Sequence, residues 1–458
     1  MNETVPKRTG AGLAVVWFRR DLRVHDNAAW ARATRDHARV AAVYVVDPVL
    51  RDAAGDHRRR AVDDAVDDLD RALAGGLHRL HGDPAVEIPR FVTRHEARHV
   101  AWNFDVTPYA TRRDRATASA VSKRTASSWH GDWGTLVRAP GSIETAAGSV
   151  PKVFSAFWKR WQQVKLPPEA VASDATLITP DGERPIRADQ PPTGLEAAAL
   201  EHLEEFLHER LHDYPEDRDH PAIVGTSRLS IDLKRGTIGP ATVARRAAAF
   251  EHGDAFVRQI AWRDWFAHLL FENPGMVTTP LQSTKIPHWR NDADELTAWK
   301  GGRTGFPIVD AGMRELLATG YMHNRVRMIV ASFLVKDLLV DWRIGERYFR
   351  HLLADGDVPQ NVGNWQWVAG TGPDAAPFFR VFNPTLQSRR FDPSGRYLRR
   401  WVPELAALDD TAIHEPSRLG PLELAASGIT LGVDYPEPLV DHAEARIRAL
   451  AAYKQTKN

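Results

Sequence analysis

The sequence predicts an α/β N-terminal domain built on a parallel sheet, followed by an all-α C-terminal domain. Between residues 13 and 135, short continuous apolar runs alternate with stretches of helical periodicity, which is typical of parallel strands covered on both faces. Beyond residue 195 the pattern is helical to the end. Residues 327–340 are apolar nearly all round, as expected for a buried helix.

The N-terminal elements alternate between strand and helix. Apolar residues from Val62 to Leu73 recur at steps of three and four among charges, so we predict an amphipathic helix that ends at Gly75. The first strand is not followed by a Gly-x-Gly-x-x-Gly turn, so the common dinucleotide fingerprint is missing. The predicted elements are strand 13–18, helix 28–36, strand 40–46, helix 58–74, strand 77–80, helix 88–97 and strand 99–104.

A proline-rich segment separates the two predicted domains. Residues 166–194 contain six prolines and show no clear periodicity, which indicates a connector. An amphipathic helix then begins near residue 195. We therefore expect an α/β domain over residues 1–135, an interdomain connector over 136–195 and a helical domain over 196–458.

Composition excludes several classes of protein. Sixty Lys and Arg residues balance 59 Asp and Glu residues, so the bulk charge does not indicate nucleic-acid binding. The absence of cysteine excludes disulfides, thiolate metal sites, iron–sulfur clusters and a cysteine nucleophile. Apolar runs fall short of the ~20 residues that a membrane span needs, and the first 12 residues are polar. We expect a cytoplasmic protein without membrane contact.

Two segments carry candidate binding chemistry. Gly225–Ser230 (GTSRLS) offers hydroxyls, backbone N–H groups and an arginine before a helix, and is either a phosphate cradle or an ordinary N-cap. Asp355 and Asp357 flank a glycine shortly before Trp365 and Trp367. They form either a structural turn or a pair of acceptors for the ring or ribose donors of a heterocycle. A metal site would need more oxygen ligands nearby, so we predict none.

Residues 321–400 are more basic than the chain as a whole. They contain 12 basic and 7 acidic side chains, a local net charge of 12 − 7 = +5. The basic residues are interleaved with aromatic ones, among them Trp342, Trp365 and Trp367. This pattern is typical of a surface that follows a nucleic-acid backbone and stacks on its bases, and equally of a solvated face.

Five separated motifs occur here in the order found in one family. They are Trp17–Asn27 (WFRRDLRVHDN), Thr226–Ser230, Ala261–Asp264 (AWRD), Tyr321–Met328 (YMHNRVRM) and Asp355–Trp367, and the run to Pro384 extends the match. In these motifs the chain resembles the DNA photolyase/cryptochrome family over nearly its whole length. It is most similar to the class I cyclobutane pyrimidine dimer photolyases of microbes.

The resemblance implies a Rossmann-like α/β domain and a helical domain that binds FAD. Asn361 would lie at flavin N5, where an amide can bond a reduced, protonated nitrogen without adding an acidic or redox-active group. Plant cryptochromes usually carry Asp there and animal cryptochromes Cys, so Asn361 favours a repair enzyme. Arg327 would pair with Asp355. The residues implied to bind FAD are Tyr214, Thr226, Ser227, Arg228, Leu229, Ser230, Arg263, Arg327, Asp355, Asp357 and Asn361.

The implied activity is light-driven repair of cyclobutane pyrimidine dimers. In the family, light excites reduced, anionic FAD, which passes one electron to a dimer flipped out of the DNA; the ring splits and the electron returns. The implied catalytic residues are Gln259, Trp262, Asn324, Asn361 and Trp367. The implied DNA-binding residues are Arg218, Trp262, Arg325, Met328, Trp367 and Arg380. The partner would be UV-damaged DNA, double- or single-stranded, bound by a monomer.

Three tryptophans match the family's photoreduction chain. Trp365, Trp342 and Trp289 would pass electrons inward from the surface to an oxidised flavin. Without the resemblance, three core tryptophans would be the simpler interpretation. The chain of tryptophans would recharge the cofactor without being required for repair itself.

One departure from the family pattern concerns the substrate. Gln259 stands where this branch normally has Glu, and Gln is found there in (6-4) photolyases and animal cryptochromes. (6-4) repair uses two histidines, which align with Asn324 and Met328 here, and neither of these can do acid–base work. Cyclobutane dimers are therefore favoured. The alternatives are a (6-4) photolyase, a cryptochrome-like blue-light receptor and a generic flavin oxidoreductase.

The resemblance also implies an antenna pigment in the α/β domain. The segment Asp105–Tyr109 resembles the deazaflavin or flavin type rather than the folate type, and Lys234 fits that group. The resemblance favours 8-hydroxy-5-deazaflavin as the antenna. FMN, methenyltetrahydrofolate or an empty site are the alternatives.

Overall fold

The computed structural model describes residues 10–282, 287–374 and 380–454. It confirms the predicted fold class, a parallel-sheet α/β region followed by a helical region. Within the described ranges, no helix has both the length and the apolar character that crossing a membrane requires.

The chain folds into seven strands and twenty α-helices over the described residues. The strands are β1 Gly10–Phe18, β2 His37–Val46, β3 Leu77–His81, β4 His99–Asn103, β5 Ser128–Asp132, β6 Ala175–Thr179 and β7 Gly182–Ile186. The helices are α1 Ala28–Asp36, α2 Pro48–Asp52, α3 Asp56–Ala72, α4 Pro84–Arg94, α5 Pro108–Arg124, α6 Phe154–Trp161, α7 Gly194–Glu209, α8 Tyr214–Asp217, α9 Ser230–Arg235, α10 Pro240–Ala248, α11 Asp254–Glu272, α12 Ala293–Lys300, α13 Pro307–Thr319, α14 Asn324–Ser332, α15 Trp342–Leu352, α16 Val358–Ala369, α17 Pro384–Phe391, α18 Arg396–Trp401, α19 Pro421–Ala426 and α20 His442–Lys454.

Two compact units make up the structure. The first, the α/β unit, comprises Met1–Leu211 and Ser227–Pro274; the second, the helical unit, comprises His212–Thr226 and Gly275–Asn458. The sheet lies in the α/β unit, as do α9, α10 and α11. The domain limits expected from the sequence stay predictions.

The sheet of the α/β unit is parallel except at one edge. Its order is β5-β4-β1-β2-β6-β7, β3 also pairs with β2, and only β6 and β7 run antiparallel. The central strand β1 is buried on both faces: Val16 and Phe18 belong to one apolar core, and Val15 and Trp17 to the other. This explains the continuous apolar run in its sequence, because neither face meets water.

The proline-rich segment is more ordered than its sequence indicated. Residues 166–194 were expected to be a connector, but they supply the β6–β7 hairpin, and β6 pairs with β2 at Val40 and Leu177. Strand β6 is only five residues long and β7 is polar and mostly exposed, so neither gives a strong periodic signal. Pro185 is tolerated because β7 is the edge strand.

The buried helix expected over residues 327–340 is confirmed in part. Helix α14 begins at Asn324 and passes at Phe333 into a π-helical turn that ends at Asp337. This turn holds the ammonium of Lys336 in the interior, 3.6 Å from the ring centroid of Tyr453 on α20. The predicted C-terminal helix is α20, and residues 455–458 lie outside the described residues.

Candidate functional site

The helical unit contains the ion pair expected from the sequence. Arg327 Nη2 donates to Asp355 Oδ2 at 2.8 Å, and Arg327 Nε donates to the carbonyl oxygen of Met322 at 2.7 Å. Burial is the largest influence and opposes the charged form of Arg327, but Asp355, together with Tyr321 and Glu315, outweighs it and raises the pKa of the guanidinium. Asp355 Oδ1 is buried and has no hydrogen-bond partner within the described ranges. One carboxylate oxygen is therefore available as an acceptor.

Asn361 is held by a residue that the sequence analysis missed. Its Nδ2 donates to the carbonyl oxygen of Glu346 at 2.9 Å and to Glu346 Oε1 at 3.0 Å. Both groups only accept, so the amide nitrogen must lie on that side and Oδ1 on the other. The Glu346 carboxylate is buried and also lies 3.3 Å from Arg350 Nε. Glu346 thus sets which end of the Asn361 amide can meet a ligand.

A sequence signal for Glu346 did exist. The buried positions of α15 are Trp342, Gly345, Glu346 and Phe349, which recur at the spacing of one helical face. A carboxylate on an otherwise apolar face needs a partner, because burying an unpaired charge is costly. That conflict marks Glu346 as a candidate site residue from sequence alone.

The predicted photoreduction tryptophans differ in burial. Trp365 and Trp342 are 2 % and 0 % exposed, whereas Trp289 is half-buried. Trp365 packs edge-on against Phe349 at 5.1 Å, and a Cβ on Gly345 would come within 2.3 Å of its ring. The indole position is therefore fixed by close packing. The order of burial agrees with a path from interior to surface, and the path itself stays a prediction.

The predicted lesion-contacting residues on α14 lie side by side. Asn324 is exposed, and its Nδ2 lies 4.0 Å from the sulfur of Met328 one turn later. His323 is the N-cap of this helix, and its Nδ1 accepts from the backbone N–H of Arg325. This capping contact gives His323 a structural role at the start of α14.

The predicted DNA-binding arginines of the helical unit lie beside aromatic or acidic groups. Arg325 Nη2 donates to Asp219 Oδ2 at 2.6 Å, and its guanidinium lies 4.3 Å from the ring centroid of Phe391. Arg218 is half-buried, 5.9 Å from the ring of Tyr214. Arg380 is exposed, and residues 375–379 of the preceding motif lie outside the described residues. Trp367 is half-buried on α16.

The α/β unit holds most of the remaining predicted cofactor and lesion residues. In the loop before α9, Arg228 has a φ of 53°, a left-handed conformation that is uncommon for a non-glycine residue. Ser230 Oγ is buried without a partner in the described part of the chain. Gln259 Nε2 lies 3.5 Å from the carbonyl oxygen of Ala255. Thr226, just ahead of this loop, is half-buried in the helical unit, and Ser227 and Leu229 complete the segment.

Trp262 and Arg263 make contrasting contacts. Trp262 is half-buried and stacks on Phe154 with ring centroids 3.7 Å apart, so one face of the indole is covered. Arg263 is buried and its Nη1 donates to the carbonyl oxygen of Thr135 at 2.8 Å. That contact gives Arg263 a structural role within the α/β unit; its expected role toward FAD stays a prediction. Asp357, the other predicted FAD residue, is the buried N-cap of α16 in the helical unit.

The two predicted antenna residues also lie in the α/β unit. Asp105 accepts from the backbone N–H of Thr107 at 3.2 Å and lies 3.4 Å from Arg20 Nη1. Lys234 is half-buried on α9. Neither observation identifies a pigment, and the antenna stays a prediction.

Comparison with known proteins agrees with the family expected from the sequence. Residues 14–174 match the family described as DNA photolyase, and residues 256–455 match the FAD binding domain of DNA photolyase. The chain is similar to a deoxyribodipyrimidine photo-lyase of Salmonella typhimurium, with 37 % identity over 97 % of this chain and 98 % of the relative.

Two solved structures are similar as well. One is a bacterial class III photolyase from Agrobacterium tumefaciens, with a TM-score of 0.88 and 35 % identity over 99 % of this chain and 100 % of that chain. The other is an archaeal photolyase from Sulfolobus tokodaii with two FAD molecules, with a TM-score of 0.82 and 30 % identity over 97 % of this chain and 100 % of that chain.

Proposed function

The chain belongs to the DNA photolyase family, and we propose that it repairs cyclobutane pyrimidine dimers in DNA by light-driven electron transfer, as the class I enzymes do. The FAD-binding domain of the family lies in its helical region. The observation that carries the proposal is the Asn361–Glu346 pair. The pair directs the amide oxygen of Asn361, a neutral acceptor, away from Glu346, and by the resemblance this oxygen would meet flavin N5.

The residues present fit a flavin nucleotide. Asp355 Oδ1 is an unused acceptor for ribityl hydroxyl or ring N–H donors, and Ser230 Oγ is an unused hydroxyl in the loop predicted to bind phosphate. Arg327 donates to Asp355 Oδ2 at 2.8 Å and so holds the carboxylate in place. When bound, FAD supplies the light-driven one-electron chemistry. The protein's part is to bind, orient and shield it.

We propose that tryptophan and amide side chains contact the flipped-out lesion. Trp262 contacts Phe154, Trp265 and Phe266 but is only half-buried, and its exposed part would pack against a flipped base. Trp367 takes the corresponding role on α16, and Gln259 supplies hydrogen bonds without charge. Arg218, Arg325 and Arg380 contact the flanking phosphates.

A cyclobutane dimer suits this site better than a (6-4) photoproduct. The second lesion needs proton transfer, and the side chains at the two aligned positions, Asn324 and Met328, touch each other and cannot carry a proton. His323 caps α14 through Nδ1. We therefore propose that Gln259, in place of the usual Glu, alters the hydrogen bonds to the dimer. It does not change which lesion is repaired.

The decisive experiment illuminates the reduced, FAD-loaded protein with an oligonucleotide that contains one thymine dimer. We expect the dimer to disappear under blue light and to persist in darkness. Asn361→Ala should slow repair, whereas Asn364→Ala, an exposed position on the same helix, should not. Flavin photoreduction without repair would favour a light receptor, and dark NAD(P)H turnover would favour an oxidoreductase. An oligonucleotide with a (6-4) lesion completes the comparison.

The proposal also covers the antenna pigment, the cellular location and the oligomeric state. We propose 8-hydroxy-5-deazaflavin as the antenna, held with the help of Asp105 and Lys234. Absorption spectra of the extracted pigments distinguish it from FMN and from methenyltetrahydrofolate. We further propose a monomer that acts on double- or single-stranded DNA in the cytoplasm, which sedimentation and fractionation would test.

A further inference from the structure

Gln366 is a buried amide that stands between Trp365 and Trp367 on α16. The residue is 0 % exposed. Successive side chains of an α-helix point about 100° apart, so this amide leaves the helix on a different side from either indole ring. Burying an amide costs free energy unless it is hydrogen-bonded. The partners of Gln366 therefore indicate what it does.

The side chain of Gln366 is bonded to one neighbouring segment of the helical unit, residues 276–282. Its Nε2 donates to the carbonyl oxygens of Met276 at 2.7 Å and Thr279 at 3.2 Å. Its Oε1 accepts from the backbone N–H of Leu281 at 3.0 Å. The orientation of the amide is fixed, because the two carbonyl oxygens only accept and the N–H only donates. Gln366 thus fastens this segment to α16.

A second glutamine, Gln282, connects the same segment to the turn that follows α16. Its backbone N–H donates to the carbonyl oxygen of Thr371 at 2.8 Å, and its Nε2 donates to that of Gly372 at 2.8 Å. The N–H groups of Thr371 and Gly372 donate in turn to the carbonyl oxygen of Gln366, at 2.9 and 3.0 Å. These hydrogen bonds close a ring, which we call the glutamine clasp: Gln282, Gln366, Thr371 and Gly372.

The glutamine clasp adjoins the backbone of Trp367. A Cβ on Gly372 would lie 3.0 Å from the backbone nitrogen of Trp367, so the turn packs tightly against this peptide. The neighbouring Trp365 is 2 % exposed and is fixed by ring packing, with Phe349 at 5.1 Å. Trp367 is only half-buried, so its ring has fewer neighbours to hold it. The placement of the Trp367 ring therefore depends more on its backbone.

We propose that Gln366 is a positioning residue for the lesion, which acts through the glutamine clasp on Trp367. The clasp holds the Trp367 peptide in the place from which its ring packs against the flipped dimer. A small displacement weakens such packing, because contact energies fall steeply with distance. This inference rests on the proposed repair function. It assigns to Gln366 no contact of its own with DNA, since the residue is fully buried.

The test measures binding in darkness of the FAD-loaded full chain to an oligonucleotide with one thymine dimer and to the same oligonucleotide without it. Gln366→Met removes the hydrogen bonds at nearly the same volume. We expect it to weaken dimer binding about fivefold or more, and to leave FAD content and binding of undamaged DNA unchanged. Asn364→Met, which changes an exposed amide of the same helix, should match the parent protein.

A double-mutant cycle distinguishes positioning from a general loosening of the structure. In a Trp367→Ala background the ring is gone, so adding Gln366→Met should change dimer affinity by less than about twofold. Gln282→Ala removes the hydrogen bond to Gly372 from a half-buried position and should reproduce the loss in milder form. It keeps the test open if Gln366→Met does not fold, which circular dichroism shows.

The possible outcomes separate this inference from the proposed function. Parent-like dimer affinity in both clasp variants overturns the role of Gln366 and leaves the repair proposal standing. A loss that persists in full in the Trp367→Ala background, or that comes with loss of FAD, also overturns it and gives the clasp a general structural role. A parent protein that does not prefer the dimer overturns the proposed function, and this inference with it.

Discussion

Replacing Lys336 with methionine should stabilise the protein at neutral pH. Lys336 is 1 % exposed, and its buried ammonium has no hydrogen-bond partner within the described residues. Burial lowers its pKa from 10.5 to about 7. At about 1.4 kcal/mol per pKa unit, this difference corresponds to about 5 kcal/mol against the charged form in the folded state. The Tyr453 ring, 3.6 Å away, offsets on the order of 1–2 kcal/mol of it.

The direction of the pH dependence follows from proton binding. The unfolded chain keeps the Lys336 proton up to pH 10.5, whereas the folded chain loses it near pH 7. Between these values the unfolded state binds more protons, so the free energy of unfolding rises with pH. After the Tyr453 offset, we expect a rise of about 1–2 kcal/mol from pH 7 to pH 9 in the parent protein. Lys336→Met should lack this rise and exceed the parent by about 2–3 kcal/mol at pH 7.

The assay is urea denaturation followed by circular dichroism at pH 7, 8 and 9. Lys454→Met, which removes an exposed lysine from α20, is the matched control and should track the parent protein. The reasoning is refuted if Lys336→Met is less stable than the parent at pH 7. It is equally refuted if the difference between the two proteins is the same at pH 7 and pH 9.

Three further predictions concern the site. Trp342→Phe should block photoreduction of oxidised FAD while repair by chemically reduced protein continues; loss of both activities would contradict the proposed path. Asp355→Asn should weaken FAD binding at least tenfold, because Arg327 then lacks a buried counter-charge, and fluorescence titration measures it; parent-like affinity would remove Asp355 from the site. Glu346→Gln should shift the midpoint potential of bound FAD, because the Asn361 amide is no longer fixed by a carboxylate. An unchanged potential would mean that Glu346 is only structural.

Much of the α/β unit was predictable because its signals are local. Strand β1 and helix α1 agree with the predicted ranges within a few residues. A buried parallel strand appears in the sequence as one apolar run, and a helix appears as apolar residues that recur every three or four positions. The β6–β7 hairpin was not predictable. Its pairing depends on β2, more than 130 residues away, and Pro185 conceals the strand pattern.

The site residues also divide into those that the sequence predicted and those that it did not. The Arg327–Asp355 pair was expected from the resemblance and forms at 2.8 Å. Glu346 stands on the otherwise apolar face of α15, which marks it as unusual, but its partner Asn361 lies one helix later and could not be identified from the sequence. A cavity in the α/β unit, lined by residues of β4, β5, α5 and the end of α11, was also missed, because no one of these segments is unusual alone.

The buried charges of the helical unit are not equivalent, and their differences indicate which can be removed. Asp355 and Glu346 each have an arginine partner, so deleting either leaves a stranded charge and typically costs several kcal/mol. Lys336 has a ring beside it but no counter-ion among the described residues, so its removal strands nothing. Stability gained at Lys336 should therefore leave FAD binding and repair intact. If repair is lost in Lys336→Met, the lysine acts on the site through the π-helical turn that it shares with α14.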